Sequence, residues 1–135
     1  MKVYVSGLLY DNEGKNIALI LKNRPAWQMG NYNVIGGKLE PTDPSLSEAM
    51  RREAIEESGV DVEWSQRTTL LGEDYVIYYF SAHTDEIYGA KTMEDEPIHL
   101  FPVNQLPENL IYDLRWLIPL LNDSSVDVPK IFKKK

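Results

Sequence analysis

The chain of 135 residues has the usual size of one domain, and its 43% hydrophobic and 26% charged residues are typical of a globular protein. This composition excludes a disordered chain, a collagen-like repeat and a coiled coil, and no apolar stretch is long enough to cross a membrane. The net charge of −7 argues against duplex nucleic acid as a partner, because such binding depends on basic residues that neutralise phosphates. The lack of cysteine excludes disulfides and zinc-thiolate sites, so we expect a cytoplasmic protein.

The first third of the chain predicts a hairpin, a loop and a short strand. Residues rich in β-formers at 3–10 and 17–22 flank a turn-rich segment at 11–15, which indicates a β-hairpin. Residues 23–33 contain a proline, a glycine and three asparagines and predict a long loop. A short strand at 34–35 then runs into two glycines.

A helix follows, with two candidate starts. Asp43 followed by Pro44 is typical of an N-cap with proline in the first turn, and Ser45 with Glu48 fits a capping box. Gly59 predicts the end of this helix.

The remainder of the chain predicts strands and a second helix. Strands are expected at 60–64, 68–71, 75–82 and 98–103, with an acidic loop at 94–97. Asn109 is expected to cap a final helix of about a dozen residues. We expect residues 1–123 to form one domain and residues 124–135 to form a mobile C-terminal tail.

Three carboxylates of the first helix have an unusual placement. Glu53, Glu56 and Glu57 share one helical face and continue the apolar stripe of residues 46–50, so they are expected to point into the protein. Glu56 and Glu57 also lie in the last helical turn, where the partly negative helix end disfavours acids. A hard divalent cation such as Mg²⁺ would offset this repulsion. The alternative is a solvated acidic face in which Arg52 pairs with Glu56.

The segment from Gly37 to Val60 resembles the Nudix box. Residues 52–60, with the sequence REAIEESGV, match the second half of the family pattern at every position. In the first half, Asp43 stands where the family has Glu, and one residue is inserted before Arg52. A GGKLEP lead-in, an acidic EDEP loop and a Leu-Pro segment before the last helix also resemble the family layout, so the likeness covers most of the chain.

The resemblance implies an α/β/α sandwich, with a mixed sheet between two helical layers, and a site for Mg²⁺ or Mn²⁺. It implies that Arg52 orients Glu53 and that either Glu53 or Glu96 acts as the general base, with Glu94 and Asp95 close to the latter. The implied metal ligands are Gly37, Glu53, Glu56, Glu57 and Glu96.

The activity implied by the resemblance is metal-dependent hydrolysis of a nucleoside di- or triphosphate, in the manner of a MutT-like nucleoside triphosphatase. Alternatives are a hydrolase of ADP-sugars, dinucleoside polyphosphates or capped RNA, and a non-catalytic domain that senses a nucleotide. The complete set of acids argues against the sensor. A small-molecule nucleotide is the expected partner, and both a monomer and a homodimer stay open.

Four residues of the 23–33 loop are candidates for substrate contact. Arg24 could bind phosphates, although an ordinary surface arginine is equally compatible with its position. Trp27 and Tyr32 could stack on a base, or they could pack in the core. Asn33 is a candidate for hydrogen bonding to the base because of its position.

Overall fold

The computed structural model describes residues 1–135 and contains a mixed β-sheet with a helix on each face. The strands are β1 (Lys2–Tyr10), β2 (Asn16–Leu21), β3 (Tyr32–Asn33), β4 (Ile35–Lys38), β5 (Ser65–Leu71), β6 (Tyr75–His83), β7 (Ile98–Pro102) and β8 (Ile131–Lys133). The helices are α1 (Leu46–Ser58) and α2 (Leu114–Asn122), and short 3₁₀ turns occupy Ala26–Gln28 and Asp85–Gly89.

Strand β1 lies at the centre of this sheet. It pairs in parallel with β6 along its whole length, from Lys2 opposite Tyr75 to Tyr10 opposite His83. It also pairs antiparallel with β2 and β4, while β2 pairs with β3 and β7, and β5 pairs with β6 and β8. The predicted N-terminal hairpin is confirmed.

The two faces of β1 supply two separate cores, because successive side chains of a strand point in opposite directions. Val5 and Leu9 belong to a buried cluster with residues of α1, whereas Leu8 and Tyr10 belong to a second cluster with residues of α2. The predicted sandwich of a mixed sheet between helical layers is therefore confirmed.

The limits of α1 show which of the two start signals operates. The Ser45 hydroxyl accepts a hydrogen bond from the Glu48 amide at 3.1 Å, so Ser45 is the N-cap. Gly59 ends the helix with a φ of 74°, a conformation that glycine adopts without steric cost. Asp43 precedes the helix and accepts a hydrogen bond from the Glu40 amide.

Three of the predicted elements were placed wrongly. Residues 60–64 form no strand, and β5 begins at Ser65. Helix α2 begins at Leu114 because residues 109–111 pair with the backbone of Tyr32 instead of coiling. Asn109 does not cap that helix: its side-chain amide donates to the Gly30 carbonyl.

The C-terminal segment contains a strand that the sequence did not predict. Residues 131–133 pair in parallel with β5 as its outer neighbour. The division of the chain at residue 123 and the mobility of the tail stay predictions. Neither helix has the length and apolar character needed to cross a membrane.

Candidate active site

Two glutamates of α1 are buried against the two glycines of β4. Glu53 and Glu57 are 9% and 6% exposed, and the Gly36 amide donates to Glu57 Oε1 at 2.9 Å. A Cβ atom at Gly37 would lie 2.5 Å from Glu53 Oε1, so any larger residue would displace the carboxylate. The glycine pair therefore allows the strand backbone to approach the acids of the helix.

Arg52 organises the acids around it. Its guanidinium donates to both carboxylate oxygens of Asp43, at 2.8 and 2.9 Å, and also to Glu53 at 2.9 Å and Glu56 at 3.2 Å. The pKa of Asp43 is lowered, chiefly by the hydrogen bond from Arg52. The acid in the variant first half of the box thus fixes Arg52, and Arg52 in turn fixes Glu53.

Glu56 departs from the prediction that all three carboxylates point inward. Its side chain is 49% exposed and pairs with Arg52, whereas Glu53 and Glu57 are buried. The pairing of Arg52 with Glu56, considered as an alternative to a functional site, coexists with the buried acids. The helix periodicity placed the three acids on one face of α1. It did not show that Glu56 lies at the exposed edge of that face and that Glu53 and Glu57 lie at its buried centre.

Burial weakens the ionisation of the two inner glutamates. It raises the pKa of Glu57 to about 8, despite the hydrogen bond from Gly36 that favours the charged form. Burial also raises the pKa of Glu53 above its ordinary value, and the nearby Arg52 opposes this rise. These are carboxylates whose charge the protein alone leaves poorly compensated.

A cavity of about 710 Å³ lies on the α2 face of the sheet. None of the three acids of α1 lines it, and it is linked to them through the glycines Gly36 and Gly37. Its wall includes Gly36, Gly37 and three of the four predicted substrate-contact residues, namely Arg24, Trp27 and Asn33. This volume is within the range of ligand pockets.

The fourth predicted contact residue, Tyr32, does not line this cavity. Its hydroxyl is 2.8 Å from His99 Nδ1, and its ring packs edge-on against Phe101 with centroids 4.8 Å apart. Tyr32 and Asn33 are consecutive in β3 and therefore face opposite sides. The alternative of core packing describes Tyr32 better than base stacking does.

The other three loop residues have different surroundings. Arg24 forms a two-pronged ion pair with Asp95 at 2.9 and 3.2 Å. Trp27 is 69% exposed on its 3₁₀ turn, so most of its ring is free to contact a ligand. The Asn33 side chain donates to Gln28 and accepts from the Val34 amide, which fixes its orientation at the cavity wall.

The family model described as NUDIX domain matches residues 1–121. The chain belongs to the Nudix family. No curated protein matches the chain.

Three similar structures illustrate the shared Nudix fold. A MutT NUDIX hydrolase from Burkholderia pseudomallei has a TM-score of 0.72 at 22% identity, covering 87% of this chain and 95% of that one. The NUDIX domain of Shewanella oneidensis NrtR, solved with ADP ribose, has a TM-score of 0.68 at 17% identity, covering 88% and 84%. An ADP-ribose pyrophosphatase from Streptococcus suis has a TM-score of 0.69 at 18% identity, covering 98% of both chains.

Nudix hydrolases generally use divalent metal ions, and the acids of α1 fit such an ion by their chemistry. Glu53, Glu56 and Glu57 offer carboxylate oxygens, the donors that hard cations prefer, and the raised pKa values of Glu53 and Glu57 are the expected mark of charge that a cation would stabilise. The three acids do not converge as they stand, and no group of three acidic or histidine side chains is arranged around one point. Arg52 holds Glu53 and Glu56 instead.

Glu96, predicted as a metal ligand or base, has its oxygens occupied by protein donors. It is 4% exposed and accepts from Lys22 Nζ at 2.8 Å, the Asn23 amide at 2.6 Å and the Arg24 amide at 3.3 Å. Burial alone would raise the pKa of Glu96, but these hydrogen bonds together lower it. This geometry is that of a clamp that fixes residues 22–24 at the cavity.

Lys22 is a site residue that the sequence analysis missed. It lines the cavity, pairs with Glu96, and lies close enough to Glu57 to oppose the rise of its pKa. The only local signal was a lysine that ends an otherwise apolar strand, a pattern common at the protein surface.

A second, larger cavity of about 1130 Å³ lies at the other end of the sheet. Its wall includes Arg67, His83 and Asn122, but it lacks both the acids of α1 and the glycines Gly36 and Gly37 that contact those acids. Arg67 there donates to Ser81 and to the Leu121 carbonyl, and His83 pairs with Asn122, so these polar groups already have partners in the protein. The smaller cavity is therefore the better candidate for the active site.

Proposed function

We propose that this Nudix protein is a metal-dependent pyrophosphohydrolase that cleaves a nucleoside di- or triphosphate. The observation that carries the proposal is the pair of buried glutamates, Glu53 and Glu57, held against Gly36 and Gly37, which also line a cavity of nucleotide size. Glu57 forms no ion pair within the protein, and an acidic site of this kind is suited to a substrate that arrives with metal ions.

The reaction is attack of water on a phosphorus atom of the anhydride. The water oxygen forms a new bond to phosphorus, the bond from phosphorus to the bridging oxygen breaks, and the leaving phosphate or pyrophosphate departs with that oxygen. Glu53 is proposed to accept the proton from the attacking water, as the resemblance to the family implies. Arg52 orients Glu53 for this task.

Glu53, Glu56 and Glu57, with the backbone carbonyl of Gly37, are the residues proposed to hold the metal, with Mg²⁺ or Mn²⁺ as the ion. When bound, such an ion neutralises the diphosphate and lowers the pKa of the attacking water. Glu96 is proposed as a positioning residue, since its two oxygens already accept from Lys22 and two amides. Lys22 and Arg24 then lie at the phosphate end of the cavity.

Substrate contact is proposed for Arg24, Trp27 and Asn33, which share the cavity wall. The Trp27 ring would stack on a base, and the fixed Asn33 amide would meet its polar edge or the sugar. A nucleoside triphosphate of the kind hydrolysed by MutT proteins is the substrate we favour.

The second candidate is an ADP-sugar hydrolase. It is supported by the likeness to an ADP-ribose pyrophosphatase and to a NUDIX domain solved with ADP ribose. The products distinguish the two: a nucleoside triphosphate gives a nucleoside monophosphate and pyrophosphate, whereas ADP-ribose gives AMP and ribose 5-phosphate.

The test is a hydrolysis screen of nucleoside triphosphates, ADP-sugars and dinucleoside polyphosphates, with each product identified chromatographically. We expect turnover of at least one substrate with Mg²⁺ or Mn²⁺, its loss on chelation, and its return when the metal is restored. Turnover in excess chelator would refute the metal-dependent mechanism. Nucleotide binding without turnover of any substrate would favour the nucleotide sensor.

A further inference from the structure

The end of the cavity farthest from the acids is built by the C-terminal strand. Lys134, directly after β8, lines the cavity together with Lys2, Asp74 and Asp113. Its amide donates to the Leu71 carbonyl at 2.8 Å, and its ammonium donates to Asp113 Oδ2 at 2.7 Å. Lys134 lies beyond the residues 1–121 that the family model matches.

The strand that carries Lys134 is anchored on both sides. The Thr68 hydroxyl donates to the Pro129 carbonyl, and the Thr69 amide donates to the Lys130 carbonyl. The ring of Phe132 packs edge-on against Trp116 with centroids 5.0 Å apart. These contacts hold the backbone that leads to Lys134, and Asp113 holds its ammonium on the cavity wall.

This end is well separated from the acids. Ser6 lies opposite Gly36, whose amide binds Glu57, and Lys2 lies four residues along the same strand, opposite Tyr75. At about 3.3 Å per residue, the cavity extends roughly 13 Å along β1 from one end to the other. A ligand with its phosphates beside Gly36 would place its far end beside Lys134.

The charges at this end favour a neutral group. Two lysines and two aspartates give a formal charge of zero, so an additional phosphate gains little there. Lys134 offers only hydrogen-bond donors, and Asp113 uses one of them. Asp113 offers only acceptors, and its Oδ1 already accepts from Trp116 Nε1 at 3.3 Å. A group with an acceptor beside a donor matches both, and the Watson–Crick edge of every nucleobase has this pattern.

We propose that Lys134 and Asp113 form a specificity-determining subsite that binds the edge of the nucleobase. The inference rests on the proposed function only in taking the ligand to be a nucleotide, since it requires binding and not hydrolysis. Lys134 donates to an acceptor of the base, and Asp113 accepts from the neighbouring N–H.

The experiment compares nucleoside monophosphates with ribose 5-phosphate, which lacks the base. Calorimetry in Mg²⁺ measures the binding of AMP, GMP, CMP and UMP, and of ribose 5-phosphate, to the full chain. We expect at least one monophosphate to bind more tightly than ribose 5-phosphate. Lys134→Met should weaken that binding about tenfold, the value of one hydrogen bond to a charged group, and leave ribose 5-phosphate unaffected.

Three further variants make the result specific. Lys134→Arg, which keeps the donors, should retain most of the affinity, and Lys135→Met, an equal loss of charge at an exposed neighbour, should match the wild type. Asp113→Asn should also weaken the monophosphate without weakening ribose 5-phosphate. Because Lys134 is 45% exposed, Lys134→Met should fold, and thermal unfolding checks this.

Three outcomes would overturn the inference. If Lys134→Met weakens the binding of the monophosphate and of ribose 5-phosphate equally, Lys134 contacts the phosphate. If it weakens the binding of neither ligand, the base binds elsewhere. Wild-type protein that binds no monophosphate better than ribose 5-phosphate would also refute it. Base-dependent binding that needs Lys134, in a protein with no hydrolysis, would instead refute the proposed function and keep this subsite.

Discussion

Two acidic segments of this protein bond to residues of the same cavity wall, but the protein treats their charges in opposite ways. In α1, Glu57 is buried with a single backbone donor, and burial raises its pKa to about 8. In the loop before β7, Glu96 is equally buried but accepts three hydrogen bonds, one of them from Lys22, and its pKa falls.

The difference shows how to separate structural from functional acids. A buried carboxylate costs free energy unless donors or cations compensate its charge. Glu96 and the neighbouring Asp95 obtain this compensation from Lys22 and Arg24 within the protein. Glu57 lacks a direct cationic partner in the protein, and this difference supports the proposal that a metal ion binds at α1.

The largest expected effect comes from removing the charge of Glu57. Glu57→Gln keeps the acceptor for the Gly36 amide but loses the charge that holds a cation, so kcat should fall at least about 100-fold, equivalent to several kcal/mol. Metal affinity, measured by calorimetry, should fall with it. Glu48→Gln, an exposed acid of the same helix, should keep wild-type kcat. Near-normal turnover in Glu57→Gln would break the distinction between the two segments.

The pH dependence of stability provides the second test, in metal-free protein. Because the pKa of Glu57 is higher in the folded chain than in the unfolded chain, its contribution is complete below about pH 4.5 and is lost as the pH rises through about 8. The free energy of unfolding should therefore fall between pH 5 and 8 by on the order of a few kcal/mol.

Glu57→Gln should flatten this fall, while Glu48→Gln should retain it. The lowered pKa values of Asp43 and Glu96 act in the opposite direction but only on the acidic side, where their contributions are lost as the pH decreases. Urea unfolding at four pH values measures the slope. An identical slope in wild type and Glu57→Gln would show that the buried charge costs nothing.

Glu96→Gln tests the other half of the comparison. The change leaves Lys22, whose side chain is only 15% exposed, without its ionic partner, and it weakens the hold on residues 22–24. The free energy of unfolding should decrease by about 2 kcal/mol, and KM should rise more than kcat falls.

The matched control is Glu94→Gln, an exposed acid two residues away, which should alter neither quantity. A large loss of metal affinity in Glu96→Gln, with stability unchanged, would restore Glu96 as a metal ligand.

The parts of the molecule that the sequence predicted are those set by local patterns. The hairpin, α1 and the acids of residues 53–57 follow from alternation, capping and spacing within a few residues. The shift of α2 to Leu114 follows from the pairing of residues 109–111 with Tyr32, which is distant in sequence. The clamp on Glu96 and the strand β8 are also long-range contacts, so no local pattern indicated them.

The smallest expected effect concerns the loop that Glu96 holds in place. If the acidic loop serves to position residues 22–28, the exposed ring of Trp27 should contact the ligand. Trp27→Leu should then raise KM several-fold, the cost of part of a stacking contact, with kcat and the unfolding temperature unchanged.

Tyr32→Leu should instead lower the unfolding temperature, because Tyr32 packs against Phe101 and bonds to His99. Kinetics and thermal unfolding of the two variants together decide the matter. If Tyr32→Leu raises KM in a stable protein and Trp27→Leu does not, the base binds on the opposite face of β3. Glu96 then does not position a segment that contacts the base.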